Sequence, residues 1–119
     1  MIYGIGIDIV HIPKLKKAVE RWGDRFKNRI FTQNELLYCE KRRFSEQHLA
    51  ARFAAKEAFL KAMGCVIKFT DIEVLNNKDG GPYIVFSKNP ELKIQNLKIH
   101  LTISHDGDYC LAQVVLEKD

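Results

Sequence analysis

The stretch "RFAAKEAFLKAMG", residues 52–64, predicts a buried helix that ends at Gly64, since glycine commonly terminates helices. Alanine, phenylalanine, leucine and methionine surround a carboxylate, Glu57, near its centre. A buried charge is costly unless it has a partner or binds a metal ion. The role of Glu57 on so apolar a helix is therefore the first question that this sequence raises.

Two interpretations of Glu57 fit the sequence. Lys61 lies one helical turn further on, so the two side chains could form a surface ion pair that contributes at most about 0.5 kcal/mol. The alanines around Glu57 leave little solvent-facing surface, which favours a partner elsewhere in the fold or a metal ion. Arg52 and Lys56 lie on a different side of this helix.

The first ten residues, "MIYGIGIDIV", alternate in the manner of a strand. Glycine weakens a strand, so two glycines on one face indicate the close approach of a backbone or a ligand. Asp8 lies on that glycine face and is the natural second carboxylate. The opposite face carries Tyr3, Ile5, Ile7 and Ile9.

Asp8 and Glu57 together favour a hard cation. Two carboxylates with few competing nitrogen or sulfur ligands suit Mg²⁺, which prefers oxygen, keeps waters and often bridges to phosphates. Nearby lysine and arginine side chains would then bind phosphate oxygens. His105, beside Ser104 at a hairpin end, is either a ligand contact or a turn residue bonded to its own backbone.

Three helices are predicted between the first strand and the later ones. Pro13 is well placed to begin a helix that Gly23 ends. Thr32 and Glu35 have the spacing of a capping box at the start of a second helix. The third helix is predicted from about Glu46 to Met63.

Two hairpins follow the helices in the predicted order. Turn residues from Asn77 to Gly81 separate two strand-like runs, and Asp106-Gly107 separates two more. The order β-α-α-α-β-β-β-β predicts an α+β fold, with a mostly antiparallel sheet packed with about three helices. We expect residues 1–119 to form one domain.

The positive charge of the chain is concentrated in the first helix. The net charge is +4, but the stretch from Lys14 to Arg29 alone holds seven basic residues against two acidic ones. An apolar stripe of Leu15, Ala18, Val19 and Trp22 would place the basic side chains outward. Such a surface is either a solvated helix face or a binding site for nucleic acid, an anionic membrane or an acidic protein. The candidate partner-binding residues are Lys14, Lys17, Arg21 and Arg25.

The three cysteines and the N-terminus predict a cytoplasmic protein. Cys39, Cys65 and Cys110 form no Cys-x-x-Cys pair, which argues against a disulfide framework or a zinc site and favours small core residues. No apolar run is long enough to span a bilayer. The N-terminal residues lack the basic lead and cleavage site of a signal peptide.

The sequence resembles the holo-acyl-carrier-protein synthases over nearly its whole length. Four segments occur in the order and spacing of that family. They are "GIGIDIV" at 4–10, "RIFTQNEL" at 29–36, "RFAAKEAFLKAMG" at 52–64 and "TISHDGDYCLAQVV" at 102–115. This family uses Mg²⁺ to transfer the phosphopantetheine arm of coenzyme A to a serine of apo acyl carrier protein, which yields the holo carrier for fatty acid biosynthesis.

The resemblance also implies the site residues and the assembly. It makes Asp8 and Glu57 the metal ligands, and places Lys61, Arg52, Gly64 and His105 around the bound coenzyme A. Lys61 would balance charge on the departing group or on the phosphate under attack, and either Glu57 or a metal-bound water would accept the serine proton. Family members form homotrimers with active sites between subunits. The expected partners are coenzyme A and a small acidic carrier protein, with no nucleic acid and no membrane.

Two other functions are alternatives to this one. A small basic nucleic-acid-binding module is supported by the basic stretch, but its only aromatics there are Trp22 and Phe26, with Trp22 on the apolar stripe rather than on a stacking platform. A structural oligomer subunit without activity would leave Glu57 unexplained.

Overall fold

Three helices pack against two antiparallel sheets in a computed structural model that describes residues 1–86 and 97–119. The element order matches the prediction, and the α+β class is confirmed. The elements are β1 (Ile2–His11), α1 (Ile12–Ile30), α2 (Gln33–Glu40), α3 (Ser45–Met63), a single 3₁₀ turn (Phe69–Asp71), β2 (Ile72–Asn76), β3 (Pro82–Phe86), β4 (Leu97–Asp106) and β5 (Tyr109–Lys118).

The larger sheet has the strand order β1-β5-β4, and β2 pairs with β3 in a separate hairpin. Asp8 on β1 pairs with Ala112 on β5, which in turn pairs with Ile103 on β4. These three residues therefore lie in one row on the face of the sheet that α3 covers. The same face of β5 supplies core side chains that are completely buried: Cys110, Ala112, Val114 and Leu116.

Helix α3 packs against the glycine face of β1, not against its isoleucine face. A Cβ atom on Gly4 would lie 2.0 Å from the carbonyl oxygen of Ala62, and one on Gly6 would lie 2.0 Å from that of Ala58. The close approach predicted from the two glycines is thus confirmed, and the approaching group is the backbone of α3. The isoleucine face of β1 stays open, with Ile5 64% exposed.

Helix α1 differs from its prediction. Gly23 bends the helix instead of ending it: it has φ +61°, and the helix continues to Ile30. Trp22 was wrongly assigned to the buried stripe, because it is 57% exposed and its ring lies beneath the guanidinium of Arg21. Since the backbone changes direction at Gly23, contact with the core passes from Leu15 to residues beyond the bend, and Trp22 remains outside.

The other predicted boundaries hold to within about one residue. The Thr32 hydroxyl accepts a hydrogen bond from the Glu35 N–H and the Glu35 carboxylate accepts one from the Thr32 N–H, which confirms the capping box. Gly64 ends α3 with φ +72°. The turn between β4 and β5 is Gly107-Asp108, one residue later than predicted. The β2–β3 turn lies where it was predicted.

Two of the three cysteines are core residues. Cys39 and Cys110 are buried and Cys65 is half-buried, and all three are free thiols. Burial raises the pKa of the Cys39 thiol to about 11, and it also raises the pKa of Cys110. Both therefore stay protonated and act as small apolar side chains. Within the described ranges, no helix combines the length and apolar character needed to cross a membrane.

Candidate active site

The contact between β1 and α3 brings Asp8, Glu57 and Lys61 into one cluster. Asp8 follows Gly6 by two residues on the same face of β1, and Glu57 directly precedes Ala58, whose carbonyl meets Gly6. The Lys61 ammonium donates hydrogen bonds to the backbone oxygen of Ile7 at 2.8 Å and to Asp8 Oδ1 at 3.2 Å. We call these three side chains the Asp8–Glu57–Lys61 cluster.

Lys61 does not serve as a simple surface partner of Glu57. Among the residues that the structure describes, its ion pair is with Asp8, across the helix–strand contact. Lys61 is still near enough to Glu57 to act on it electrostatically. The interpretation of Glu57 as a member of a local surface pair is therefore replaced by a three-residue arrangement between two elements.

The two carboxylates of the cluster repel each other. Burial raises the pKa of Glu57, the negative charge of Asp8 raises it further, and the ammonium of Lys61 only partly opposes this. A divalent cation placed between carboxylates relieves such repulsion, because it supplies the opposite charge. The two carboxylates therefore carry more negative charge than Lys61 balances, which favours binding of a cation.

The ligand chemistry of the cluster suits Mg²⁺. Its anionic donors are carboxylate oxygens, and the Asp8 side chain keeps 17% of its surface exposed. Within residues 1–86 and 97–119, no three His, Cys, Asp or Glu side chains converge as a ready-made metal site. An ion held by two carboxylates would take its remaining ligands from water or substrate, which is how Mg²⁺ is commonly bound next to phosphates.

Arg52 lies away from the cluster. Its guanidinium donates to Asn76 Oδ1 at 2.6 Å and lies 4.2 Å from the ring centroid of Tyr38. Arg52 is only 3% exposed, and among the described residues its Nε is a buried nitrogen without a hydrogen-bond partner. Its contact with coenzyme A stays a prediction.

Gly64 and His105, the other two predicted contacts of coenzyme A, lie on different elements of the fold. Gly64 is exposed and ends α3 one turn beyond Lys61. His105 is exposed near the end of β4, where it pairs with Cys110 on the face of the sheet that carries Asp8. Both positions are open to a ligand, and their roles in binding coenzyme A stay predictions.

Among the described residues, the most deeply buried charges were not predicted from the sequence. Lys56 and Glu35 are both 0% exposed, and Lys56 Nζ lies 2.6 Å from Glu35 Oε1. Glu35 was identified only as a helix cap and Lys56 only as a charge beside Glu57. The available signal was a lysine within an alanine-rich run, but its partner lies 21 residues earlier in the chain and no periodic pattern links the two.

The basic residues of α1 form an exposed surface. Lys14, Lys17, Arg21 and Arg25 all project to solvent, as predicted from their positions off the apolar stripe. Trp22 joins them, because the bend at Gly23 leaves it outside the core. The α1 basic surface, defined as these four basic residues and Trp22, therefore combines positive charge with one large aromatic ring.

Comparisons with known proteins agree over almost the whole chain. The family model of the 4'-phosphopantetheinyl transferase superfamily matches residues 4–114. A holo-[acyl-carrier-protein] synthase of Clostridium tetani is 45% identical and covers 98% of this chain and 97% of its own length. A crystal structure of the Bacillus anthracis holo-(acyl-carrier-protein) synthase in complex with CoA (3',5'-ADP) has a TM-score of 0.85 at 38% identity, covering 100% and 99% of the two chains. The crystal structure of the Neisseria meningitidis holo-[acyl-carrier-protein] synthase has a TM-score of 0.89 at 37% identity, and the match covers 99% of this chain and 100% of that chain.

Proposed function

Because the chain belongs to the holo-[acyl-carrier-protein] synthases of the 4'-phosphopantetheinyl transferase superfamily, we propose that it uses Mg²⁺ to transfer phosphopantetheine from coenzyme A to a serine of apo acyl carrier protein. The observation that carries this proposal is the Asp8–Glu57–Lys61 cluster, where two repelling carboxylates and a lysine meet between β1 and α3. Transfer of a phosphate group requires mainly positioning and charge stabilisation, and the cluster offers both.

Each residue of the cluster has a distinct task in this proposal. Asp8 and Glu57 would hold the ion, which when bound neutralises charge on the diphosphate of coenzyme A. The serine oxygen forms a bond to the β-phosphorus while the bond from that phosphorus to the bridging oxygen breaks, and adenosine 3',5'-bisphosphate leaves. Lys61 balances charge on the phosphate or on the leaving group. The serine proton goes to Glu57 or to a water molecule.

The α1 basic surface is proposed to bind the carrier protein. Acyl carrier proteins are small and acidic, and a surface of opposite charge increases the rate of encounter. The exposed ring of Trp22 adds apolar contact area to this surface. Coenzyme A would be contacted by Arg52, Lys61, Gly64 and His105.

A homotrimer is proposed on the basis of the uncovered face of the larger sheet. Ile5, Ile7 and Ile9 on β1 and Tyr109 and Leu111 on β5 are all exposed large apolar side chains. The strand register places Ile9 opposite Leu111, so these side chains share one face. Contiguous apolar surface of this kind marks an interaction site. We further place the enzyme in the cytoplasm, where it supplies holo carrier protein for fatty acid biosynthesis.

The direct test is mass spectrometry of apo acyl carrier protein after incubation with the enzyme, coenzyme A and Mg²⁺. The expected result is a mass increase of one phosphopantetheine group on the carrier serine, and no increase in EDTA. The exposed Trp22 among basic residues also favours a second candidate, the nucleic-acid-binding module. An unchanged carrier mass together with salt-dependent binding of DNA through Arg21 and Trp22 would favour that second candidate.

A further inference from the structure

Lys56 and Glu35 form a fully buried ion pair that the proposed reaction does not use. Every polar atom of the two charged groups is satisfied. Glu35 Oε1 accepts from Lys56 Nζ at 2.6 Å and from the Thr32 N–H at 2.8 Å, and Oε2 accepts from the Val74 N–H at 2.8 Å. Lys56 Nζ uses its remaining protons on the backbone oxygens of Ile30, at 2.6 Å, and Phe69, at 3.1 Å.

These contacts connect five segments at one point. Ile30 is the last residue of α1, Thr32 and Glu35 start α2, Phe69 begins the 3₁₀ turn, and Val74 lies in β2. Lys56 joins all of them to α3. We call Lys56, Glu35 and these backbone contacts the Lys56 hub.

Stability alone is a weak reason for such a pair. The desolvation of two buried charges offsets most of their attraction, and apolar side chains of similar size often stabilise a core equally well. Burial lowers the pKa of Lys56, which is the same desolvation effect, while Glu35 opposes it. In some proteins a buried pair instead fixes one arrangement of the elements it joins, because its short contacts are satisfied only there.

The hub gives α3 a directional contact. The buried surface of this helix is apolar, with five alanines beside the larger side chains of Leu49 and Phe59. The short hydrogen bonds of Lys56 differ from these apolar contacts, because they are satisfied only in one rotation and axial position of α3. The hub fixes α3 on the side of α1, α2 and β2, whereas Gly4 and Gly6 fix it on the side of β1.

Glu57 is the residue directly after Lys56. We propose that the Glu35–Lys56 pair is a positioning device, which holds α3 in the rotation and axial position that bring the Glu57 carboxylate to Asp8. Lys56 and Glu35 are positioning residues, since neither touches the cluster. This inference rests on the proposed function, because it concerns the placement of a proposed metal ligand.

The test compares Lys56→Met, Glu35→Gln and the double variant with the wild type, below the melting temperature of all four. Methionine keeps the apolar stem of Lys56, and glutamine keeps the shape of Glu35. We expect each single variant to lower kcat by about tenfold and to raise the Mg²⁺ concentration for half-maximal rate by a similar factor. The KM for the carrier protein should stay unchanged, since α1 keeps its basic surface. The double variant should be no worse than the poorer single variant, because the pair acts as a unit.

The matched control is Leu15→Ala, which removes a buried side chain of α1 before the bend at Gly23, whereas the hub contacts α1 only at its last residue, Ile30. It should lower the melting temperature but leave kcat and the Mg²⁺ requirement unchanged. If the hub variants behave in the same way as this control, the pair is merely structural and the inference is overturned. If Lys56→Met fails to fold, Glu35→Gln is compared with the wild type and the control in its place.

Hydrogen–deuterium exchange separates this inference from the proposed function. In Lys56→Met, backbone amides of residues 57–61 should exchange faster than in the wild type, whereas in Leu15→Ala they should not. A wild-type enzyme that modifies no carrier protein contradicts the proposed function, whatever the exchange shows. Unchanged exchange at these amides contradicts the positioning role, even when the wild type is active.

Discussion

The carbonyl oxygen of Ala58 occupies the space that a side chain on Gly6 would need. A Cβ atom built on Gly6 would lie 2.0 Å from this oxygen and 2.9 Å from the backbone nitrogen of Ala62. Both neighbours are backbone atoms of a helix, so neither can move aside separately. The spacing between β1 and α3, and with it the spacing between Asp8 and Glu57, therefore depends on the absence of a side chain at Gly6.

Gly6→Ala adds a single methyl group, but it should lower both stability and activity. Forcing α3 away from β1 should lower the free energy of unfolding by about 1–3 kcal/mol, the range typical of overpacking. Displacing Glu57 from Asp8 by about 1 Å should lower kcat by about a hundredfold. The control is Gly81→Ala, whose Cβ would meet only the side-chain amide of Asn77, at 3.2 Å. Equal kinetics for the two variants would show that the close packing is not needed for catalysis.

Local patterns predicted much of this fold. The glycine face of β1, the capping box of Thr32 and Glu35, and the glycine after α3 are each set by neighbouring residues, and each is found where it was predicted. Asp8 was paired with Glu57 because both are isolated carboxylates at places where a close neighbour was expected. In the structure these two residues lie close together, where Gly4 and Gly6 allow α3 to pack directly against β1.

The features that were missed depend on the tertiary arrangement. Trp22 has the spacing of a buried residue, but the bend at Gly23 turns the following helix and leaves the ring exposed. Lys56 finds Glu35 only after α2 and α3 pack together, so neither local sequence contains the pair.

Removing either carboxylate of the cluster should abolish metal-dependent transfer. Asp8→Asn and Glu57→Gln keep the side-chain shape but remove the negative charge that Mg²⁺ requires. Each should lower kcat/KM by about a hundredfold or more, with unchanged circular dichroism. The measurement is carrier-protein mass at increasing Mg²⁺ concentrations. Near wild-type transfer by either variant, or by the wild type in EDTA, would refute the assignment of these ligands.

Without metal, Glu57→Gln should be more stable than the wild type at pH 7. The folded-state pKa of Glu57 is raised above 4.5 by burial and by Asp8, so folding favours its protonated form. That contribution is present below pH 4.5 and is lost as the pH rises through the folded-state pKa. The stability difference between variant and wild type should therefore shrink as the pH falls towards 4.5.

Thermal unfolding at several pH values, in EDTA and in Mg²⁺, measures this effect. Added Mg²⁺ should raise the melting temperature of the wild type but not that of Glu57→Gln, because a ligand stabilises only the state that binds it. A wild type that is more stable than the variant at pH 7 in EDTA would contradict the repulsion between Asp8 and Glu57.

Charge reversal on the α1 basic surface should weaken docking alone. Lys14→Glu and Arg21→Glu should each raise the KM for the carrier protein by about tenfold while leaving the KM for coenzyme A unchanged. The effect should decrease at high salt, since exposed charges are screened. Lys118→Glu, an equal charge change on the exposed end of β5, is the control and should have little effect. Parallel changes in both KM values would argue against a docking role for α1.

A charge on the open face of the larger sheet should separate the subunits of the proposed trimer. Ile5 projects from β1 beside Val115 of β5, and burying an aspartate there between subunits would be costly because no partner for its charge is provided. We therefore expect Ile5→Asp to be a monomer by light scattering and to lose activity, provided that the active site lies between subunits. Val66→Asp changes an equally apolar residue that is 98% exposed away from the strands, so it should keep both assembly and activity. A fully active monomer of Ile5→Asp would show that one chain supplies the complete site.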